Sequence, residues 1–141
     1  MISVISDFLA HRRLAIVGVS HEPKHFSRMV LRAFRERDFE VAPVNPTMSE
    51  VEGSPCYSRL QDIQPPVDTA LLMTPAAVTD EVVKDCADAG IRRVWMYRRS
   101  KAAVSFCEAH GMSVIAGECP LMFLPQTGWI HRFHGWLHGV R

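Results

Sequence analysis

Residues 14–23, Leu14-Ala15-Ile16-Val17-Gly18-Val19-Ser20-His21-Glu22-Pro23, decide the fold: a short, almost wholly apolar run breaks at a glycine and turns polar. The run Leu14–Val19, without polar alternation, is the pattern of a β-strand buried on both faces. Four more such runs follow, at residues 39–44, 67–73, 94–97 and 112–116. Helical patterns fill the gaps. Met29, Val30, Ala33 and Phe34 share one side of a helix predicted over Ser27–Arg37, and Val78, Val82, Val83 and Cys86 share one side over Ala76–Ala89. A third helix is predicted over Lys101–His110, and Gly90 and Gly111 stand where glycine closes the second and third helices before a strand begins.

Five β runs alternating with helices predict an α/β domain with a five-stranded, mainly parallel sheet, because parallel neighbours need a crossover helix. With 141 residues and 48% hydrophobic residues the chain suits one core, so residues 1–141 are read as a single domain. Two amphipathic flanking helices are predicted. One, at about 2–11, presents Ile2, Ile5, Phe8 and Leu9; the other, at about 128–139, presents Trp129, Ile130, Phe133, Trp136 and Leu137. In an open parallel sheet the ligand crevice lies at the carboxyl ends of the strands, near the point where strand order reverses. The segments facing it are 18–27, 45–48, 74–77, 98–101 and 117–120.

Composition narrows the partners. Sixteen Lys and Arg against fifteen Asp and Glu leave a formal charge of +1, which gives no global reason for nucleic-acid binding. No apolar run approaches the roughly 20 residues that span a bilayer, so no membrane partner is expected. The opening MISVISDFLA lacks a basic segment and contains Asp7, unlike a secretory signal, and the expected location is cytoplasmic. The four cysteines form no CxxC pair, and reduced thiols are expected.

The turn after the first strand occupies the place of the dinucleotide fingerprint G-x-G-x-x-G, but Ser20 replaces its second glycine and Pro23 its third. The second strand ends in Val44-Asn45-Pro46, with no acidic residue to hold a ribose diol. Both observations disfavour a nicotinamide or flavin dinucleotide held in the usual way. What survives is a turn with a hydroxyl and backbone N–H groups, followed by a helix start, which suits a phosphate. Ser27 is placed to cap that helix or to turn its hydroxyl to an anion, and Lys24, His25 and Arg28 crowd the same turn.

Gly18-Val19-Ser20-x-x-Pro23-x-x-x-Ser27, Val41-Ala42-Pro43-Val44-Asn45-Pro46, Glu50-Val51-x-Gly53, Cys56-Tyr57-Ser58 and Pro66-Val67-Asp68 form an ordered set. Over residues 12–120 the chain resembles the small bacterial and archaeal CoA-binding proteins of the YccU type. These are similar to the N-terminal CoA-binding domain of the succinyl-CoA synthetase α subunit. The resemblance implies a Rossmann-like three-layer fold, here with an added C-terminal helix, that binds coenzyme A. It implies that Gly18, Val19 and Ser20 turn under the pyrophosphate, that Ser27 with Lys24 or Arg28 assists, and that Asn45 and Pro46 flank the adenosine. Thr74 and Pro75 then line the opposite wall. Two departures stand out. Met73-Thr74-Pro75-Ala76 lacks the Arg or Lys that many members carry after the third strand, and Tyr97-Arg98-Arg99-Ser100 replaces a Gln-containing loop. Arg98 and Arg99 are expected to supply the missing charge. CoA suits these loops chemically, since its adenine, pyrophosphate and 3′-phosphate call for donors and positive charge but no acidic ribose clamp.

Two constellations compete with a pure binding role. Cys119, in Gly117-Glu118-Cys119-Pro120, lies in a crevice segment and could act as a nucleophile, ligate a metal or form a mixed disulfide. His131, His134 and His138 fall on one arc of the last predicted helix, a spacing able to hold Zn²⁺ or Fe²⁺, although no HExxH and no acidic residue accompanies them. The aromatic side of that helix is also suited to a homodimer contact. No Ser-His-Asp order, paired carboxylates or Walker lysine appears in the ligand segments. The expectation is a non-catalytic module for CoA or acyl-CoA. Its rivals are an acyl-CoA or metal-dependent enzyme using these residues, and an NAD(P)-binding or redox-sensing protein.

Overall fold

The computed structural model describes residues 2–125. The chain runs α1 (Ile2–Ala10), β1 (Arg13–Val17), α2 (Phe26–Glu36), β2 (Glu40–Val44), β3 (Glu50–Val51), β4 (Ser54–Pro55), β5 (Thr69–Leu72), α3 (Ala76–Asp88), β6 (Arg93–Met96), α4 (Lys101–Ala109) and β7 (Ser113–Ala116). Short 3-10 turns follow β4 at Leu60–Asp62 and β7 at Pro120–Met122. Five strands make one sheet in the order β2-β1-β5-β6-β7, and every pair in it is parallel. This is the Rossmann-like α/β architecture read from the sequence.

Past their opening residues, Arg13, Glu40, Thr69, Arg93 and Ser113, the five strands are apolar because both faces of the sheet are covered. Along β1, Leu14 and Ile16 enter one core with α1 and α2, while Ala15 and Val17 enter the other with α3 and α4. Leu71, Trp95 and Ile115 join the first core, and Leu72, Val94 and Met96 the second. Each fully buried side chain of this size contributes about 1.5–3 kcal/mol, which explains why the runs show no polar alternation. Trp95 anchors the first core: Phe8 of α1 meets its ring edge-on at 5.2 Å, Phe123 at 5.9 Å, and its indole N–H donates to the Glu118 carbonyl at 2.9 Å.

The chain leaves β1 to one side for β2, then returns to the other side for β5. The strand order therefore reverses between β1 and β5, where Val17 pairs with Val44 on one flank and Leu72 on the other. That reversal fixes the crevice.

Three differences from the sequence reading have physical causes. β1 ends at Val17 rather than Val19, because Gly18 takes φ +92° and turns the chain out of the ladder. The cap of α2 is His25, not Ser27: the His25 Nδ1 accepts the Ser27 N–H at 3.0 Å, and the Ser27 hydroxyl is engaged elsewhere. A β3–β4 hairpin, absent from the sequence reading, occupies the connection between β2 and β5. The helix predicted at about 128–139 lies outside the described residues. No described helix is long and apolar enough to cross a membrane.

Candidate functional site

The turn at the carboxyl end of β1 is held from several sides. A Cβ on Gly18 would stand 2.8 Å from the Thr74 Cγ2 and 3.1 Å from the Met73 carbonyl oxygen, so the positive φ and the close approach of β5 both demand glycine. The Gly18 N–H donates to the Val44 carbonyl at 3.1 Å. Asn45 Nδ2 donates to the Val19 carbonyl at 2.7 Å, while Asn45 Oδ1 accepts the Thr47 N–H at 2.8 Å. Ser27, fully buried, accepts the Ser20 N–H on its Oγ at 2.9 Å, and Ser20 Oγ accepts the Glu22 N–H at 3.0 Å. The N–H groups of Val19 and His21 make no hydrogen bond to the described residues. The turn thus keeps its shape by internal bonds; the exposed His21 leaves its backbone N–H without a partner among the described residues where strand order reverses, whereas the Val19 N–H is buried with its residue.

Arg28 stands behind this turn. Its side chain is only 9% exposed; Nη1 donates to the Ser20 carbonyl at 2.9 Å and to the His21 carbonyl at 3.3 Å, and Nε donates to the Glu52 carboxylate at 2.8 Å. Arg32 Nε reaches the other Glu52 oxygen at 3.0 Å, and Arg35 donates to the Glu52 carbonyl and, at 2.6 Å, to Ser54 Oγ. Residues 28, 32 and 35 share one side of α2, so the helix presents a row of guanidinium groups to the tip of the β3–β4 hairpin. Burial alone would push the Glu52 carboxyl up, but hydrogen bonds from Arg32 and Arg28, with their charge, hold it below the usual glutamate range.

A cleft of about 410 Å³ opens beside the turn at the ends of β1, β2 and β5. Gly18, Asn45, Pro46 and Thr74, all expected from the sequence, line it. So do Ser58, Arg59, Leu60, Val78, Val82 and Asp85, which the sequence reading did not assign to a site. One signal in the sequence pointed there, and one in the structure agrees. Ser58 closes the Cys56-Tyr57-Ser58 block, and Val78 lies on the apolar stripe of α3 yet is 46% exposed, as a cleft wall is. The buried Thr74 spends its hydroxyl on Thr79 at 2.6 Å and turns its methyl to Gly18. Pro75 precedes the first turn of α3 as its N-cap, with no side-chain bond to the helix.

Arg98 and Arg99 follow β6 and are exposed, as is Lys24 in the turn before α2. None of the three forms an ion pair among the described residues. They are not in the cleft lining; Phe26 at the start of α2 packs on Tyr97 at 5.3 Å and brings the turn before α2 and the loop after β6 together. The Arg98 guanidinium lies 6.0 Å from the Tyr97 ring centroid.

The thiols divide by burial. Cys86 and Cys107 face each other in the second core, where burial pushes the Cys107 thiol up to about 11 and the Cys86 thiol higher still. Burial also raises Cys56, whose Sγ is 3.9 Å from the Asn45 carbonyl oxygen. Cys119 is partly exposed and precedes the 3-10 turn at Pro120–Met122. Among the described residues no group of three His, Cys, Asp or Glu side chains is placed to hold a metal ion. His131, His134 and His138 lie outside the described residues, so a site made with them is not part of this geometry.

Fold and crevice together define a Rossmann-like domain whose ligand turn sits at the reversal of strand order. The chain belongs to the CoA binding domain family, whose model matches residues 12–125. It is 26% identical over 129 residues to the α subunit of ADP-forming acetate–CoA ligase II of Pyrococcus furiosus, covering 82% of this chain and 28% of the subunit. It is 40% identical over 57 residues to the uncharacterized protein YneT of Bacillus subtilis, covering 40% of this chain and 42% of that protein. The match thus spans less than half the length of each of these two relatives. Among solved structures, a conserved hypothetical protein from Pyrococcus furiosus superposes with a TM-score of 0.75 at 30% identity, over 80% of this chain and 99% of that one. The dinucleotide-forming acetyl-coenzyme A synthetase 1 of Ca. Korarchaeum cryptofilum gives a TM-score of 0.69 at 26% identity, over 75% of this chain and 26% of that one.

Proposed function

We propose that the chain binds coenzyme A or an acyl-CoA across this crevice and acts as a non-catalytic binding module. The observation that carries the reading is the turn at Gly18–His21, which leaves the N–H of the exposed His21 without a partner where the strand order reverses, while the Ser20 N–H and the Val19 and Ser20 carbonyls are bonded internally. A backbone donor preceding a helix start suits a pyrophosphate. Lys24, Arg98 and Arg99 add positive charge from the neighbouring loops, and the segment directly after β2, Asn45-Pro46-Thr47-Met48, has no acidic side chain to clasp a ribose diol, the carboxylate in the cleft lining being Asp85 of α3. The cleft, at about 410 Å³, is at the small end of ligand sites, and its walls of Val44, Pro46, Leu60, Val78 and Val82 suit a flat adenine ring. Asn45 and Pro46 form the side of that cleft nearest the turn.

The non-catalytic part of the proposal is tested by incubating the protein with acetyl-CoA and following free thiol. Binding without thiol release is the expected result. Steady release of thiol that is abolished by Cys119→Ser, with CoA affinity intact, would replace the module with an enzyme.

A further inference from the structure

We propose that Glu52 and Arg28 are positioning residues for the ligand turn: the carboxylate on the hairpin holds the guanidinium, and the guanidinium draws the Ser20 and His21 carbonyls to the side away from the crevice. This inference rests on the CoA reading for the ligand and on the geometry alone for the turn.

The starting observation is an outlier. β3 and β4 are joined by the two-residue turn Glu52-Gly53, with φ 45° at Glu52 and 83° at Gly53. Hairpin turns with both central residues at positive φ favour Asn-Gly or Asp-Gly, because a longer side chain gains nothing locally from that conformation. A glutamate there is strained without a local reward, so its reason lies in what its side chain reaches. It reaches Arg28 and Arg32: Arg32 grips both carboxylate oxygens, and Oε2 is shared with Arg28. An asparagine at the same place would relax the turn and fall short of both.

Arg28 carries the effect to the site. Its guanidinium is nearly buried and its Nη1 serves two consecutive carbonyls, Ser20 and His21. Because the peptide unit is planar and trans, a Ser20 carbonyl aimed at Arg28 turns the His21 N–H to the opposite side. That N–H is the exposed donor the turn leaves unspent. Arg32 braces the same loop from its far end, where Nη2 donates to the Pro23 carbonyl at 2.8 Å. Arg28 itself is covered by the turn and reaches no ligand in this arrangement. The hairpin, with no residue of its own in the cleft, thereby sets which way the ligand turn faces.

The test uses Glu52→Asn, Glu52→Gln and Arg28→Ala in the full chain, with ¹⁵N-labelled protein and calorimetric titration of CoA at several salt concentrations. In Glu52→Asn the Val19 and His21 amide resonances are expected to move while those of β7 stay in place, and CoA affinity is expected to fall about tenfold with its salt dependence unchanged. Glu52→Gln, which keeps the reach, should recover most of the affinity. Unmoved amides in Glu52→Asn overturn the proposal, and so does unchanged CoA affinity when the amides do move. If Arg28→Ala weakens binding and also flattens the salt dependence, Arg28 touches the anion and the positioning role is wrong. Should Arg28→Ala fail to fold, the milder Glu52→Asn decides. A wild-type protein that takes up no CoA defeats the ligand reading, and the amide shifts still decide whether the clamp orients the turn.

Discussion

Gly18 bears the sharpest constraint of any residue at the site. At φ +92° an alanine is strained, and its Cβ would press on the Thr74 methyl and the Met73 backbone, only one of which can yield. Gly18→Ala is expected to cost about 2–4 kcal/mol of stability, measurable by urea unfolding, and to weaken ligand binding beyond that loss because the turn must shift. Glu52 makes a different prediction. Its folded-state carboxyl titrates lower than the ordinary 4.5, so its contribution is fully present above that value and fades as pH falls through the depressed one. Glu52→Gln should therefore lower stability at pH 7 and flatten the acid limb of the stability curve; an acid limb as steep as the wild type's would contradict the assignment. Gly18 was legible in the sequence because a glycine ending an apolar run has few other meanings. Glu52 was not, because its partners lie 24 and 20 residues away on a helix face that reads as solvated charge.

At the scale of elements, the strands and helices of the main sheet were legible because two covered faces leave continuous apolar runs and the helices between them keep a single apolar stripe. The β3–β4 hairpin was missed because strands of two residues carry no period. With it went the row of arginines on α2, which acquires its meaning only once Glu52 is set opposite. The α3 stripe is one side of a helix in the sequence, yet its members part company in the structure: Val83 and Cys86 are core, while Val78 lines the cleft. Val78→Asp is expected to leave the melting temperature within a degree or two, since the position is half-exposed, and to reduce CoA affinity at least several-fold by placing a carboxylate against the nucleotide. Wild-type affinity in that variant would move the adenosine out of this cleft.

At the scale of the molecule, a formal charge of +1 conceals an uneven layout. Arg28 and Arg32 are spent on Glu52, Arg93 on Asp7 and Asp68, and Arg13 on Glu40, whereas Lys24, Arg98 and Arg99 have no acidic partner among the described residues. The sequence suggested a cationic crevice but could not say which cations were already paired. The double variant Arg98→Ala, Arg99→Ala should bind CoA more weakly and with a flatter salt dependence, because the charges it removes are unneutralised by any carboxylate among the described residues. Titration calorimetry of the purified protein with CoA and, separately, with NAD distinguishes a crevice that takes CoA from one that takes a nicotinamide dinucleotide. The expected result is saturable one-site binding of CoA with little or no heat from NAD; NAD binding at least as tightly as CoA, or no CoA binding at millimolar ligand, would contradict it.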